Sequence, residues 1–266
     1  MILAYKDIRL FYGKRQVIGG ITGGMEAEKI HAIIGPNGAG KSSFINALSG
    51  LNNYEGEVYY DLNNIAKQKY EELAQHRAYC EQKQSVAINF TVKELLSFGI
   101  NASGYKGNKQ EALTFIAEYC EIETFMEKRI HNLSGGEQQL VHFARAVAQV
   151  HPKLNSNQCM LFLDEPNSAL DIKNTLFLYH KLMDLNEMGL TVVIIMHSLN
   201  DCLGFADEIV LMDKGSITIQ GSTEEVFKNP IIDHVFGVDF IREYDGEGMK
   251  NLKPSLEKCK QYAHVR

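Results

Sequence analysis

Lys29-Ile30-His31-Ala32-Ile33-Ile34 runs directly into Gly35-Pro36-Asn37-Gly38-Ala39-Gly40-Lys41-Ser42-Ser43. A short apolar run is thus followed by the glycine-rich pattern G-x-x-x-x-G-K-[ST]. The run reads as a buried strand, and the turn opens a helix beginning near Lys41. Glycines allow successive backbone N–H groups to turn inward around phosphates, and the helix presents its positive N-terminal end to the same anion. In that arrangement Lys41 is expected to reach the β- and γ-phosphates and Ser42 to ligate Mg²⁺. The bland alternative is a turn that merely joins strand to helix. The complete pattern, in the context it requires, weighs against it.

Two further apolar runs end on chemistry. Met160-Leu161-Phe162-Leu163 stops at Asp164-Glu165-Pro166, and Thr191-Val192-Val193-Ile194-Ile195-Met196 stops at His197. Buried strands of this kind predict a parallel α/β core, and open α/β sheets gather their ligands at the carboxyl ends of the strands. Adjacent acids would finish a buried strand poorly unless a cation waits there. Asp164 fits a Mg²⁺ position reached through water, and Glu165 fits the general base that polarises an attacking water. A lone histidine after a strand says little by itself. In third place after a phosphate loop and an acid pair, His197 becomes a candidate hydrogen-bond donor to the γ-phosphate.

Elsewhere, Ile2 to Phe11 and Gly56 to Tyr60 read as strands of an antiparallel β part, and Asp207 to Gln220 as a hairpin turning at Lys214-Gly215. Between about Ser85 and Val150 the pattern turns helical. The expected helices are Thr91 to Phe98, Asn108 to Cys120, and a long one from Ser134 with Leu140, Phe143, Ala144, Val147 and Ala148 on one face. This region is expected to be a helical subdomain inserted at about 85–150 into a domain spanning 1–230. Residues 231–266 then form a polar extension with one short helix at Ile231 to Phe236.

The chain has 266 residues, 45% of them hydrophobic, enough for a substantial core. Its 27 Lys+Arg against 33 Asp+Glu give a formal net charge of -6, with no general pull toward nucleic acid or anionic lipid. Any bound phosphate must be captured locally. Cys80, Cys120, Cys159, Cys202 and Cys259 are scattered without metal-ligand spacing and read as reduced packing residues of a cytosolic protein. The N-terminus shows no secretory pattern, and the run Thr191 to Met196 falls far short of the ~20 residues of a membrane helix.

Leu133-Ser134-Gly135-Gly136-Glu137-Gln138-Gln139 opens the long helix. Locally it is a capping box, with Ser134 as N-cap and Glu137 three residues on. A capping box does not call for two consecutive glycines, which cost helix stability and serve best where a backbone must approach a ligand. A second anion site at this helix start accounts for them. With this motif the sequence resembles the ABC ATPase family, whose signature LSGGQ stands here as LSGGE. Over roughly the first 230 residues the family's other marks follow in order. The resemblance implies Tyr12 as the aromatic that stacks on adenine. It implies Gln82, closing the strand Arg77 to Cys80 and with Gln84 as its competitor, as the glutamine that meets Mg²⁺ and links nucleotide to transporter. It also implies Ser168-Ala169-Leu170-Asp171 as the D-loop and His197 as the switch histidine. Asn167 departs from the family's usual threonine, with the acids before it intact.

The fold so implied is a P-loop NTPase (RecA-like) α/β core with an antiparallel β subdomain and an inserted α-helical signature subdomain. The implied activity is ATP hydrolysis with ATP and Mg²⁺, by a head-to-tail homodimer in which the signature of one copy meets the γ-phosphate held by the loop of the other. Phe90-Thr91-Val92-Lys93-Glu94-Leu95-Leu96, the Glu-Gln-Gln ending of the signature and Val235-Phe236-Gly237-Val238 resemble the importers for iron-siderophore, haem and cobalamin. That branch implies transmembrane permease subunits as partners and, indirectly, an extracytoplasmic substrate-binding protein. It places the chain at the cytoplasmic side of the cell membrane, with no nucleic acid involved. An efflux ATPase and a soluble ABC ATPase, such as an iron-sulfur assembly subunit, are the competing readings.

Overall fold

The computed structural model describes residues 2–81, 88–151, 153–155, 158–246 and 248–255. In chain order the elements are β1 (Leu3–Tyr12), β2 (Arg15–Met25), β3 (Ile30–Ile34), α1 (Lys41–Leu48), β4 (Glu55–Tyr60), β5 (Asn63–Asn64), α2 (Tyr70–Ala74) and β6 (Arg77–Cys80). Then come α3 (Val92–Ala102), α4 (Lys109–Tyr119), α5 (Gly135–Val150), β7 (Met160–Asp164), α6 (Ile172–Glu187), β8 (Thr191–Ile195) and α7 (Leu199–Leu203). The chain closes with β9 (Glu208–Asp213), β10 (Ser216–Ser222), α8 (Thr223–Lys228), α9 (Ile231–Phe236), β11 (Phe240–Asp245) and β12 (Gly248–Pro254). These elements fall into two compact units.

The first unit comprises the start of the chain to Ala4, Gly24–Lys29 and Val58–Ile194. Its strands lie in the order β8-β7-β6, with β6 outermost. β6 and β7 are parallel, in the register Arg77↔Met160, Ala78↔Leu161, Tyr79↔Phe162 and Cys80↔Leu163. Every residue of β7 and β8 is buried, as strands covered on both faces require. The helices expected between 85 and 150 are present. α3 is capped by Thr91, which exchanges hydrogen bonds with Glu94, and α4 by Asn108. α5 buries Leu140, Val141, Phe143, Ala144, Val147 and Ala148.

The second unit comprises Tyr5–Gly23, Ile30–Glu57 and the chain from Ile195 onward. Here β3 runs parallel to β9, from His31↔Glu208 to Ile34↔Leu211, and β9 pairs antiparallel with β10. Lys214 (φ 45°) and Gly215 (φ 78°) form the two-residue turn between β9 and β10, both with the positive φ that matches strand twist. The polar tail holds more structure than its composition suggested. After α9 it forms the antiparallel hairpin β11–β12, anchored where Arg242 meets both carboxylate oxygens of Asp233 at 3.1 Å.

The four cysteines among the described residues are free and buried, and burial pushes each thiol up to about 12. They are packing residues, because a thiol so poorly ionised is a poor nucleophile. Among the described residues no helix is long and apolar enough to cross a membrane.

Two histidines of the first unit are enclosed. Burial, then the Arg145 guanidinium, pushes His142 down to about 4, and neither of its ring nitrogens has a hydrogen-bond partner. His151, edge-on to the rings of Phe115 and Tyr119, is pushed down to about 4 by burial and then by Lys153. An unfolded histidine titrates near ~6.5, so between roughly pH 4 and 6.5 the unfolded chain binds more protons than the native one. Stability therefore rises with pH through that window and is lost on acidification, by up to about 1.4 kcal/mol per pH unit for each histidine. His142→Leu should remove about half of this slope and raise the unfolding temperature at pH 5. Thermal scans from pH 7.5 to 4.5 test this, and an unchanged slope would refute it.

Candidate functional site

In the second unit the loop between β3 and α1 is shaped by contact as well as by pattern. Gly35 has φ 150°, and a Cβ there would lie 2.2 Å from the carbonyl oxygen of Met212, so no other residue fits. The Ala39 carbonyl accepts from the N–H of Gly215 at 2.9 Å, and the Gly215 carbonyl accepts from Gly19 at 2.9 Å. The β9–β10 turn thus braces the loop from behind.

α1 begins at Gly40, which is left-handed (φ 99°, ψ 9°) and supplies no side-chain cap, and its first turn holds no acid. The positive end of its dipole therefore meets no acid of its own first turn, which suits an anion. The Lys41 side chain is buried, and its ammonium donates to the carbonyls of Gly35 (2.9 Å) and Pro36 (3.1 Å), which folds it over the loop. Asn37, Gly38 and Ser42 are exposed along the loop, while Pro36 and Ser43 are half-buried.

Tyr12 ends β1 with its ring 56% exposed. Its hydroxyl lies 3.5 Å from Ser43 Oγ and accepts from Asn52 Nδ2 at 3.2 Å. An open aromatic face is therefore tethered to the first turn of α1, as stacking on a base requires. Asn52 carries no sequence signal of its own. His197 is exposed and follows Met196, whose N–H donates to the Ile33 carbonyl at 3.2 Å. It thus emerges at the end of β3 from which the loop departs.

The first unit carries the acids and the glycine pair. Asp164 closes β7 with 7% exposure, and Tyr79 of the paired strand β6 lies on the same face of the sheet. Glu165 follows at φ 48°, a left-handed conformation that costs a residue with Cβ about 1–2 kcal/mol. Strain of this kind concentrates at functional positions. The turn is closed by the Ser168 N–H on the Glu165 carbonyl (3.2 Å), and Asn167 is held through its Nδ2 on the Tyr179 hydroxyl (3.1 Å). Asp171 caps α6, accepting from Asn174 N–H at 2.8 Å.

Ser134 and Glu137 form the capping box read from the sequence. Ser134 N–H donates to Glu137 Oε2 at 2.7 Å, and these hydrogen bonds hold the Glu137 carboxyl below the usual range. A Cβ on Gly136 would sit 3.3 Å from the Ala169 carbonyl, so the start of α5 lies against the 168–171 segment. A Cβ on Gly135 would meet nothing within 4 Å. Gln82 and its competitor Gln84 lie outside the described residues.

The family described as ABC transporter matches residues 18–168, more than half of the chain. The chain belongs to the ABC transporter family. It is similar to the hemin import ATP-binding protein HmuV of Mesorhizobium japonicum, 33% identical over 235 residues that cover 87% of this chain and 89% of that one. The vitamin B12 import ATP-binding protein BtuD of Vibrio cholerae serotype O1 is 33% identical over 228 residues, covering 85% and 90%. Among solved structures, a nucleotide-free ATP-binding cassette from an ABC transporter superposes with a TM-score of 0.74 at 26% identity, covering 88% of this chain and 97% of that one. The branch expected from the sequence is the one from which these relatives come. As an ABC protein the chain is a nucleotide-binding ATPase, and its α/β fold is that of the ABC cassettes.

The two glycines at either side of the ABC phosphate loop's first turn should respond differently to a methyl group. Gly35→Ala meets the Met212 carbonyl and should lower the unfolding temperature by roughly 5 °C or more. Gly38→Ala, which has φ 81° and open space around it, should cost only about 1 kcal/mol. Equal losses in a calorimetric comparison would show that the Met212 contact does not govern the loop.

Proposed function

We propose that this chain energises a transmembrane importer of an iron chelate, haem or cobalamin, working as a head-to-tail pair beneath permease subunits at the cytoplasmic face of the membrane. An extracytoplasmic binding protein delivers the cargo, which never touches this chain. The hemin and vitamin B12 import relatives support the cargo class. The observation that carries the pairing is Gly135. It opens a 16-residue helix at a place where nothing among the described residues forbids a side chain. A glycine kept there leaves room for a group from outside, and a second helix start free to meet phosphate is of use to a second copy's nucleotide.

In this reading the N–H groups from Gly35 to Ser43 and the Lys41 ammonium grip the phosphates, and Tyr12 stacks on the base. The donors available to Mg²⁺ are hard oxygens: the Ser42 hydroxyl, the Asp164 carboxylate and the Gln82 amide. Among the described residues no group of three or more His, Cys, Asp or Glu could hold a metal. Mg²⁺ is commonly held by one or two carboxylates together with substrate phosphates. When bound, Mg²⁺ neutralises charge on the phosphate oxygens. Glu165, aimed by its strained backbone, orients and deprotonates the attacking water, and His197 donates to the γ-phosphate. Ser134, Gly135, Gly136 and Glu137 of the second copy complete the site, with Asp171 close to the seam. Each charge-assisted bond to phosphate contributes roughly 1.5–3 kcal/mol, so a lone copy lacks most of the transition-state stabilisation.

Glu165→Gln should bind ATP and accumulate as a closed dimer on gel filtration, with turnover reduced at least about 100-fold, in line with losing a general base. Wild-type turnover in that variant would refute the assignment. Gly135→Asp should leave the unfolding temperature unchanged or slightly raised, because an acid in the first turn suits the helix dipole. It should nevertheless collapse ATP hydrolysis by placing negative charge where phosphate must sit. Normal hydrolysis by Gly135→Asp would remove the shared site.

A further inference from the structure

Tyr79 belongs to none of the sequence patterns, yet it sits against the acid on which metal chemistry depends. The register Tyr79↔Phe162 puts its side chain on the face of β6 that looks toward Phe162 and, two residues further along β7, Asp164. Phe162 is itself stacked by Tyr60 with ring centroids 6.4 Å apart, so this face is packed and the phenol has little freedom. Tyr79 is 8% and Asp164 7% exposed, and the register puts the Tyr79 phenol within reach of the Asp164 carboxylate.

The backbone of Tyr79 is also fixed. β6 is the outermost strand of its sheet, so the carbonyls on its free edge need partners from elsewhere. α5 supplies them with side chains. Gln149 Nε2 donates to the Arg77 carbonyl at 2.8 Å, and Arg145 Nη2 to the Tyr79 carbonyl at 3.0 Å. Two residues along the strand correspond to four along the helix, matching a rise of about 6–7 Å in each. The helix that opens with Ser134 is thereby pinned to the residue that shares a sheet face with Asp164.

We propose that Tyr79 is a positioning residue for Asp164, its phenol holding one carboxylate oxygen so that the other is presented to Mg²⁺, with Arg145 fixing the backbone from which it reaches. A carboxylate has lone pairs enough for both partners. Removing such an outer-shell hydrogen bond typically weakens metal affinity about 10- to 100-fold. The proposal rests on the reading of Asp164 as a Mg²⁺ ligand.

The test uses the full chain and a non-hydrolysable ATP analogue, titrated first in EDTA and then with MgCl₂, with a thermal scan of each variant. Tyr79→Phe should leave analogue affinity in EDTA and the unfolding temperature essentially as in the wild type, while raising the Mg²⁺ concentration at half-saturation about tenfold. Placed in an Asp164→Asn background, the same substitution should produce no further shift, because the carboxylate through which it acts is gone. An unchanged half-saturation in Tyr79→Phe, an equal loss in EDTA, or a full additional shift in the double variant would each overturn the proposal. Asp164→Asn alone tests the metal reading separately. If it leaves half-saturation unchanged, the assignment of Asp164 has failed, whatever Tyr79→Phe shows.

Discussion

A loop that turns its backbone N–H groups toward an anion has to leave the enclosed space empty of its own side chains. Much of the second unit serves that demand. Gly35 is pressed onto the Met212 carbonyl, and Ala39 is tied to Gly215, which is tied in turn to Gly19. Each contact replaces the support that side chains would have given, and they come from two distant stretches of chain. The loop is therefore held in shape by β2 and by the β9–β10 turn as much as by its own sequence. That is why a motif of nine residues requires a domain around it.

The parts of this fold that the sequence announced are those where one local force dominates. β3, β7 and β8 are continuous apolar runs because they are buried on both faces, and periodicity needs no tertiary information to find them. The start of α5 was legible through reciprocal capping, and the β9–β10 turn through Lys214-Gly215. β2 was missed because Gly19, Gly20, Gly23 and Gly24 dilute its strand pattern. One of them, Gly23, is required by packing, since a Cβ there would lie 2.9 Å from the Tyr5 ring. α6 was missed for a different reason. Its buried set Leu178, Tyr179, Leu182 and Leu185 is blurred by the exposed Ile172, Leu176 and Met183, which widen the apolar stripe on its flank. β11–β12 escaped because its anchor is the ion pair Arg242–Asp233, and the strands themselves carry little apolar alternation.

The site divides along the same line. Residues proposed to touch phosphate or metal are named by pattern, since chemistry fixes both their type and their spacing. Residues that hold those groups in place are fixed by register and reach, and no spacing rule finds them. Asn52 is forty residues from the Tyr12 hydroxyl it bonds, and Tyr79 is brought to Asp164 only by the alignment of β6 with β7.

Strain and support occur together at the end of β7. Glu165 is held in a conformation unfavourable for any residue with a Cβ, while the residue before it is buried on the face it shares with Tyr79. A strained residue persists only where its surroundings over-determine it. Here the constraint comes from both sides: the β6–β7 ladder with Tyr79 before it, and the turn through Ser168 and the Asp171 cap of α6 after it. The same 168–171 segment lies against Gly136 at the start of α5, and α5 reaches back through Arg145 to Tyr79. The two acids and the glycine pair of one chain are thus mounted on a closed ring of contacts. A displacement of α5 would be felt at Asp164 through Tyr79 and at Glu165 through its turn, which is the mechanical requirement that the proposed pairing places on this helix.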